Sequence, residues 1–296
     1  MFRQLSVNLV IQVVCILTLT ACGGSQSQPA TAMPTNTPLP AATLTAAEKE
    51  ALGPALIEAA EADDTTEASR LIELGVDVNT KNEMDLTPLM IAARNGNMDL
   101  VRLLVDSNAD INLEDQALGY SAFIWAGPGG HTDVAQLLLE AGADINAQYR
   151  GRTALHLAAA SGQLEFTQFL IDSGADLNVT SEILGDRTPL MSAVEGGKVE
   201  VAKLLIDAGV DVSIQDERGE TALVYAVAYT LPQPEIIRLL LDAGADVNSQ
   251  RQGGMTVLDS ALTPQSGEVA DIYREVADIL RQAGGLTQEE LEAKNQ

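Results

Sequence analysis

Hydrophobic and polar positions recur along this chain with a period of about 33 residues. Thr87-Pro-Leu-Met-Ile-Ala-Ala returns as Ser121-Ala-Phe-Ile-Trp-Ala-Gly, Thr153-Ala-Leu-His-Leu-Ala-Ala, Thr188-Pro-Leu-Met-Ser-Ala-Val, Thr221-Ala-Leu-Val-Tyr-Ala-Val and Thr256-Val-Leu-Asp-Ser-Ala-Leu. A worn earlier copy opens at Pro54-Ala-Leu-Ile-Glu-Ala-Ala, and successive copies start 33, 34, 32, 35, 33 and 35 residues apart. A second landmark follows each of the first six: Gly75-Val-Asp-Val-Asn, Asn108-Ala-Asp-Ile-Asn, Gly142-Ala-Asp-Ile-Asn, Gly174-Ala-Asp-Leu-Asn, Gly209-Val-Asp-Val-Ser and Gly244-Ala-Asp-Val-Asn. Each copy predicts two short helices. Thr or Ser caps the first, and Pro at its first turn loses nothing because that N–H has no partner in a helix. Small residues follow where helices must approach closely. An amphipathic second helix, as in Leu100-Val101-Arg102-Leu103-Leu104-Val105, ends at a Gly, or once at Asn108, in the left-handed conformation. Asp and Asn then bond nearby backbone and turn the chain back in a finger.

A helix pair of this size has no core of its own, so the copies must stack in a row. The pattern resembles the ankyrin repeat, over about Glu48 to Leu286. That resemblance implies a mainly α solenoid of about seven helix-turn-helix units with short β-hairpin fingers, occupying residues 46–286. It also implies that partners meet the finger tips and the concave inner helices, and that the stack is a monomer. Thr45 with Glu48, and Thr287 with Glu290, have capping-box spacing. Residues 287–296 read as a polar cap over the last copy. On this reading Asp77, Asp110, Asp144, Asp176, Asp211 and Asp246 are architectural.

The first 45 residues follow another pattern. Arg3 is the only charge before Glu48, and it precedes a mainly apolar run from Val7 to Leu19 that is too short to span a membrane. Leu19-Thr20-Ala21-Cys22 resembles the lipobox of bacterial lipoproteins. The resemblance implies a signal peptide at residues 1–21, cleavage before Cys22 and lipid on its thiol. Cys15 then leaves with the signal, so no disulfide is possible in the exported chain. Two or more acyl chains hold a protein stably to a bilayer, whereas one holds it marginally. Residues 22–45 carry no charge and include Pro29, Pro34, Pro38 and Pro40, which describes a tether about 25–30 Å in reach. The resemblance therefore implies a protein of the bacterial cell envelope, exported and lipid-anchored to a membrane on its periplasmic or other extracytoplasmic face.

Composition then narrows the chemistry. With 17 Lys+Arg against 42 Asp+Glu the chain carries a net charge of −25, which argues against nucleic acid as a ligand. His156 lies in Thr153-Ala-Leu-His and His131 in a Gly-His turn, where the resemblance makes both structural. Two His and two Cys leave no metal-ligand set, no thiol nucleophile remains after export, and no phosphate loop or hydrolase motif occurs. No cofactor and no enzymatic activity are expected. A twelve-residue calcium loop is absent as well.

Departures between copies hold the candidate binding residues. Copy three has Ala126-Gly127-Pro128-Gly129-Gly130, which should end its first helix early and loosen the turn. Trp125 falls on a core position. Copies six and seven lengthen the turn between their helices, around Tyr229-Thr-Leu-Pro232-Gln-Pro234 and Pro264–Gly267. The finger tips, taken as 80–85, 113–118, 147–152, 179–187, 214–220 and 249–254, total 40 residues. They hold six of the chain's 17 basic residues, namely Lys81, Arg150, Arg152, Arg187, Arg218 and Arg251, beside nine acids. Arg and Tyr favour interface centres. Tyr149, Arg150, Arg152, Arg187, Arg218 and Tyr229 are therefore the partner-binding candidates. The expected function is a lipid-anchored scaffold for a protein partner on the concave face. The alternative is an inhibitor or protective chaperone of an exported enzyme or toxin.

Overall fold

The computed structural model describes residues 44–148, 151–229, 231–263 and 269–294. The expected signal peptide, Cys22, nearly all of the tether, Tyr149, Arg150 and the Pro264–Gly267 insert lie outside them. The described residues form helix pairs in chain order. Between a short α1 (Ala46–Ala51) and a terminal α16 (Gln288–Lys294) run seven pairs: α2 (Gly53–Glu61) with α3 (Thr65–Glu73), α4 (Pro88–Asn95) with α5 (Met98–Asp106), α6 (Ala122–Ala126) with α7 (Thr132–Glu140), α8 (Ala154–Ser161) with α9 (Leu164–Asp172), α10 (Pro189–Glu195) with α11 (Val199–Asp207), α12 (Ala222–Ala228) with α13 (Pro234–Asp242), and α14 (Val257–Leu262) with α15 (Val269–Gln282). First helices pack on first helices and second on second, which makes two layers with one continuous core between them.

The local chemistry follows the residues. Pro88 and Pro189 sit in the first turns of α4 and α10, and the Thr87 and Thr188 hydroxyls accept the N–H groups of Met90 and Met191 at 3.3 and 3.2 Å. Thr45 with Glu48 closes a capping box on α1, and Thr287 with Glu290 makes the same reciprocal pair before α16. Asn108 takes the left-handed conformation (φ +61°) that glycines take at the other second-helix ends. Ala158 and Ala159 are fully buried, and side chains this small let α8 and α10 approach closely.

The turn aspartates are architectural. In each of the six, a carboxylate oxygen accepts the N–H two residues on, from Asp77–Asn79 at 2.9 Å to Asp246–Asn248 at 2.9 Å. The Asn of the motif then reaches the next copy. The side-chain carbonyls of Asn79, Asn146, Asn178 and Asn248 accept the N–H groups of Asp110, Asp176, Asp211 and Leu286 at 2.8–2.9 Å. Copy five ends in Ser213, whose hydroxyl turns back to Asp211 at 2.6 Å. The expected β-hairpin fingers are hairpin-like turns, closed by cross-turn backbone bonds such as Asn82 N–H to Leu86 at 3.1 Å and Asp216 N–H to Glu220 at 3.0 Å; among the described residues they carry isolated bridges, such as Ser181–Arg187 and Gln250–Thr256, and no strand.

Copy three differs in a second way. α6 ends at Ala126 after five residues, as the Gly-Pro-Gly-Gly run predicts, but the turn is not loosened. His131 N–H donates to the Ala126 carbonyl at 3.2 Å, the register that Asn97–Ala92 and Gln163–Ala158 keep in neighbouring copies. The His131 ring lies against Gly96 and Gly129, a structural place. Phe123 stands where the other copies carry Leu, and Phe166 where its neighbours carry Val; both are buried.

His156 is buried between copies four and five. The Thr153 N–H donates to Nδ1 at 3.3 Å, which leaves Nε2–H to donate to the Arg187 carbonyl at 3.0 Å. Burial pushes its pKa down to about 4, against the opposing effect of the Arg187 bond. The unfolded chain takes up this proton near pH 6.5 and the folded chain only near 4, so stability present at neutral pH falls as pH drops through that window. Between pH 7 and 4 the wild type should lose about 3 kcal/mol more than His156→Gln, measured by urea denaturation. Asn178→Ala removes one bond between copies and should cost about 1 kcal/mol in the same measurement.

Candidate functional site: an arginine–tyrosine ladder

The finger before copy six is closed by one buried carboxylate. Asp216 Oδ1 accepts the N–H groups of Arg218 and Glu220 at 2.8 and 2.9 Å, and Gly219 turns the chain at φ +75°. The other oxygen, Oδ2, accepts the Tyr225 hydroxyl at 2.8 Å and two guanidinium N–H groups of Arg218 at 3.2 Å. Burial alone would raise this carboxyl's pKa, but the donated bonds outweigh it and hold the group below the usual range. Tyr225 is pushed up to about 12 by burial and by its bond to Asp216, against the pull of Arg187. The Arg218 guanidinium is raised despite its own desolvation, because Tyr225 and Asp216 both accept from it.

Arginines from three successive fingers converge on this point. The Arg187 guanidinium lies 5.0 Å from the Tyr225 ring centre, and Arg218 lies 5.8 Å from Tyr225 and 4.9 Å from Tyr229. Arg251 completes the series 4.9 Å from Tyr229, and the two tyrosine rings are 5.1 Å apart. The order Arg187, Tyr225, Arg218, Tyr229, Arg251 thus alternates cation and ring across copies five to seven, a favourable arrangement for each contact. Glu220 anchors it from beneath: its side chain is 1% exposed, accepts the Tyr229 hydroxyl at 2.7 Å, and stands 3.5 and 3.7 Å from the Nε atoms of Arg218 and Arg251. Arg187 pairs with Glu195 at 2.6 Å. The acids at the centre are buried while the arginines are about a third exposed or less, so an approaching partner meets guanidinium edges and the half-open Tyr229.

Three sequence candidates, Arg187, Arg218 and Tyr229, therefore meet in one site. Arg152 stands one finger away, beside His156, with a buried Nε that has no hydrogen-bond partner among the described residues. Tyr149 and Arg150 lie outside the described residues. Sequence reading missed Tyr225, which sits at the fifth position of its copy and reads as core, and missed the roles of Asp216 and Glu220. A signal was present. In the position before the capping Thr, successive copies carry Arg152, Arg187 and Glu220, an inversion of charge that a solvated tip has no need of.

The same device occurs once more. Asp115, 3% exposed, accepts the N–H groups of Leu118 and Gly119 and the Trp125 Nε1–H at 3.0 Å. Trp125 packs edge-on to Tyr120 at 5.6 Å with Arg94 5.8 Å from its ring centre. Trp125 packs against the core as its position predicts, but only partly buried, with its indole N–H reaching that carboxylate. Exposed apolar side chains, Met84, Leu118, Ile183 and Met255, lie at the tips or bases of four fingers. Among the described residues no group of three or more His, Cys, Asp or Glu is placed to hold a metal ion.

The fold and the site define a class, a stack of helix pairs joined by polar fingers. Comparison with protein families makes it specific. A model described as ankyrin repeats matches three times in succession, at residues 44–115, 107–181 and 180–251, and the chain belongs to the ankyrin-repeat family. It is also similar to the mitochondrial disaggregases of Homo sapiens and Bos taurus, 48% and 46% identical over 61 residues. That stretch is 21% of this chain and 9% of each relative, so the chain spans a small part of their length.

Tyr225→Phe should cost about 1–3 kcal/mol by urea denaturation, because it strips a donor from a buried carboxylate. Tyr229→Phe should cost a similar amount, because the buried Glu220 carboxylate then keeps only its ion pairs at 3.5 and 3.7 Å.

Proposed function

We propose that this protein is a non-enzymatic interaction scaffold, exported and lipid-anchored at Cys22 on the bacterial cell envelope, which holds a partner protein against its fingers and inner helices. The ankyrin repeats support the protein-binding role. The observation that carries the reading is the exposed side of the arginine–tyrosine ladder, since arginine and tyrosine in a desolvated, pre-ordered cluster are the residues on which binding energy concentrates. Rigidity adds to this. Asp216 and Glu220 fix the rings and guanidinium groups before any partner arrives, so little side-chain entropy is lost on binding.

The membrane part of the proposal rests on sequence. Among the described residues no helix is long and apolar enough to cross a membrane, and attachment is assigned to Cys22 with residues 23–45 as the tether. The segment shared with the disaggregases is 61 residues long, 9% of their length. Their activity is not part of the proposal.

Two measurements test the reading. Intact-mass spectrometry of the purified wild type should show an N-terminus at Cys22 carrying diacylglycerol, and Cys22→Ser should lack it. Affinity capture from envelopes should recover a partner with the wild type and lose at least about tenfold of it with Arg152→Glu/Tyr229→Ala, a drop that interface hot spots produce on truncation. An unlipidated mature chain contradicts the anchor. Equal recovery by wild type and variant contradicts the binding face.

A further inference from the structure

A cleft of about 500 Å³ opens between the fingers of copies six and seven, with Arg218 and Arg251 in its wall. Its charged donors are the two guanidinium groups, since the Ser213, Thr221 and Ser249 hydroxyls donate within the fingers. Asn248 already uses its side-chain carbonyl on the Leu286 N–H, which leaves its amide hydrogens for the cleft. Asp246, the one carboxylate in the lining, has an oxygen committed to the Asn248 N–H at 2.9 Å. The carboxylates that balance the arginines, Asp216 and Glu220, are buried beneath the ladder and are not among the residues lining the cleft. Arg251 is the less engaged of the two. Among the described residues its side chain makes no hydrogen bond, and its ion-pair partner Glu220 stands 3.7 Å off. Tyr229 and Met255, both more than a third exposed, flank Arg251.

We propose that this cleft seats an acidic side chain of a partner polypeptide, its carboxylate received by the Arg251 and Arg218 guanidinium groups and its neighbouring apolar residue laid on Tyr229 and Met255. The proposal rests on the scaffold reading and specifies the partner's chemistry. Guanidinium matches carboxylate in a planar, two-bond geometry that an ammonium cannot reproduce. The chain's net charge of −25 opposes acidic partners at long range. At physiological salt that field is screened beyond about 8 Å, while contacts inside the cleft are not. Attraction is therefore confined to a partner that fits, which favours specificity over capture rate.

The probe is a short fluorescent peptide of alternating Glu and Leu, with its Gln-for-Glu counterpart, titrated against the full chain by polarisation. The Glu peptide should bind at least about tenfold more tightly than the Gln peptide, the margin that one desolvated charge pair supplies. Arg251→Gln should abolish that preference, and Arg238→Gln, on the outer helix α13, should retain it. Since the first variant leaves Glu220 short of a partner, the wild type supplies a second readout. Modification of Arg251 by phenylglyoxal, followed by mass spectrometry, should be slowed by the Glu peptide and not by the Gln peptide. Equal affinities, or unchanged modification under saturating Glu peptide, overturn the proposal. A partner captured equally by wild type and Arg251→Gln also overturns it while leaving the scaffold intact, whereas failure of capture by the wild type overturns both.

Discussion

Everything in this molecule depends on apolar contact between neighbours. A helix pair such as α8 and α9 has an apolar stripe on each side and no interior to enclose it. Leu155, Phe166 and Leu170 are buried because copies three and five lie against them. The free energy of burial, about 25 cal/mol for each Å² of apolar surface, is thus realised only by stacking. Polar bonds between copies, such as Asn146 to Asp176, add register to a contact that is otherwise free to slide.

The functional site inherits this dependence. No single copy contains the ladder: Arg187, Arg218 and Arg251 come from three fingers, and the tyrosines from α12 and the residue that caps its end. Its geometry is set by the spacing of first helices, which the small residues of α10, α12 and α14 keep close. The abundant acids divide along the same lines. Six aspartates hold turns, Asp115 and Asp216 hold aromatic residues in place, and most others lie exposed on helices.

Much of this was legible because a repeat is read many times over. The helix starts at Thr87 and Thr188, the left-handed stop at Asn108 and the Asp turns each follow from short-range chemistry, and each recurs often enough to remove accident. The fingers read as β-hairpins do turn back on themselves, but the cross-turn bonds, as from Asp216 N–H to Glu220, are too few to make a strand among the described residues. The same logic placed Trp125 on the core side, where it packs partly buried. Period assigns a residue to a face, but whether an indole or phenol turns inward depends on an acceptor supplied by the preceding finger, as Asp115 and Asp216 are. Arg187, Arg218 and Tyr229 were singled out from residue type alone, while Tyr225 and Glu220, which hold them together, look ordinary until copies are set side by side.

The central claim is that one copy cannot fold without its neighbours, and the direct test is circular dichroism of pieces of the chain. A peptide of residues 153–187, a single copy with its finger, should show little helix and no cooperative thermal transition, while residues 87–251 should melt cooperatively with native-like helix. A cooperative transition in the single copy would contradict the account, because it would require a core that the stack does not supply.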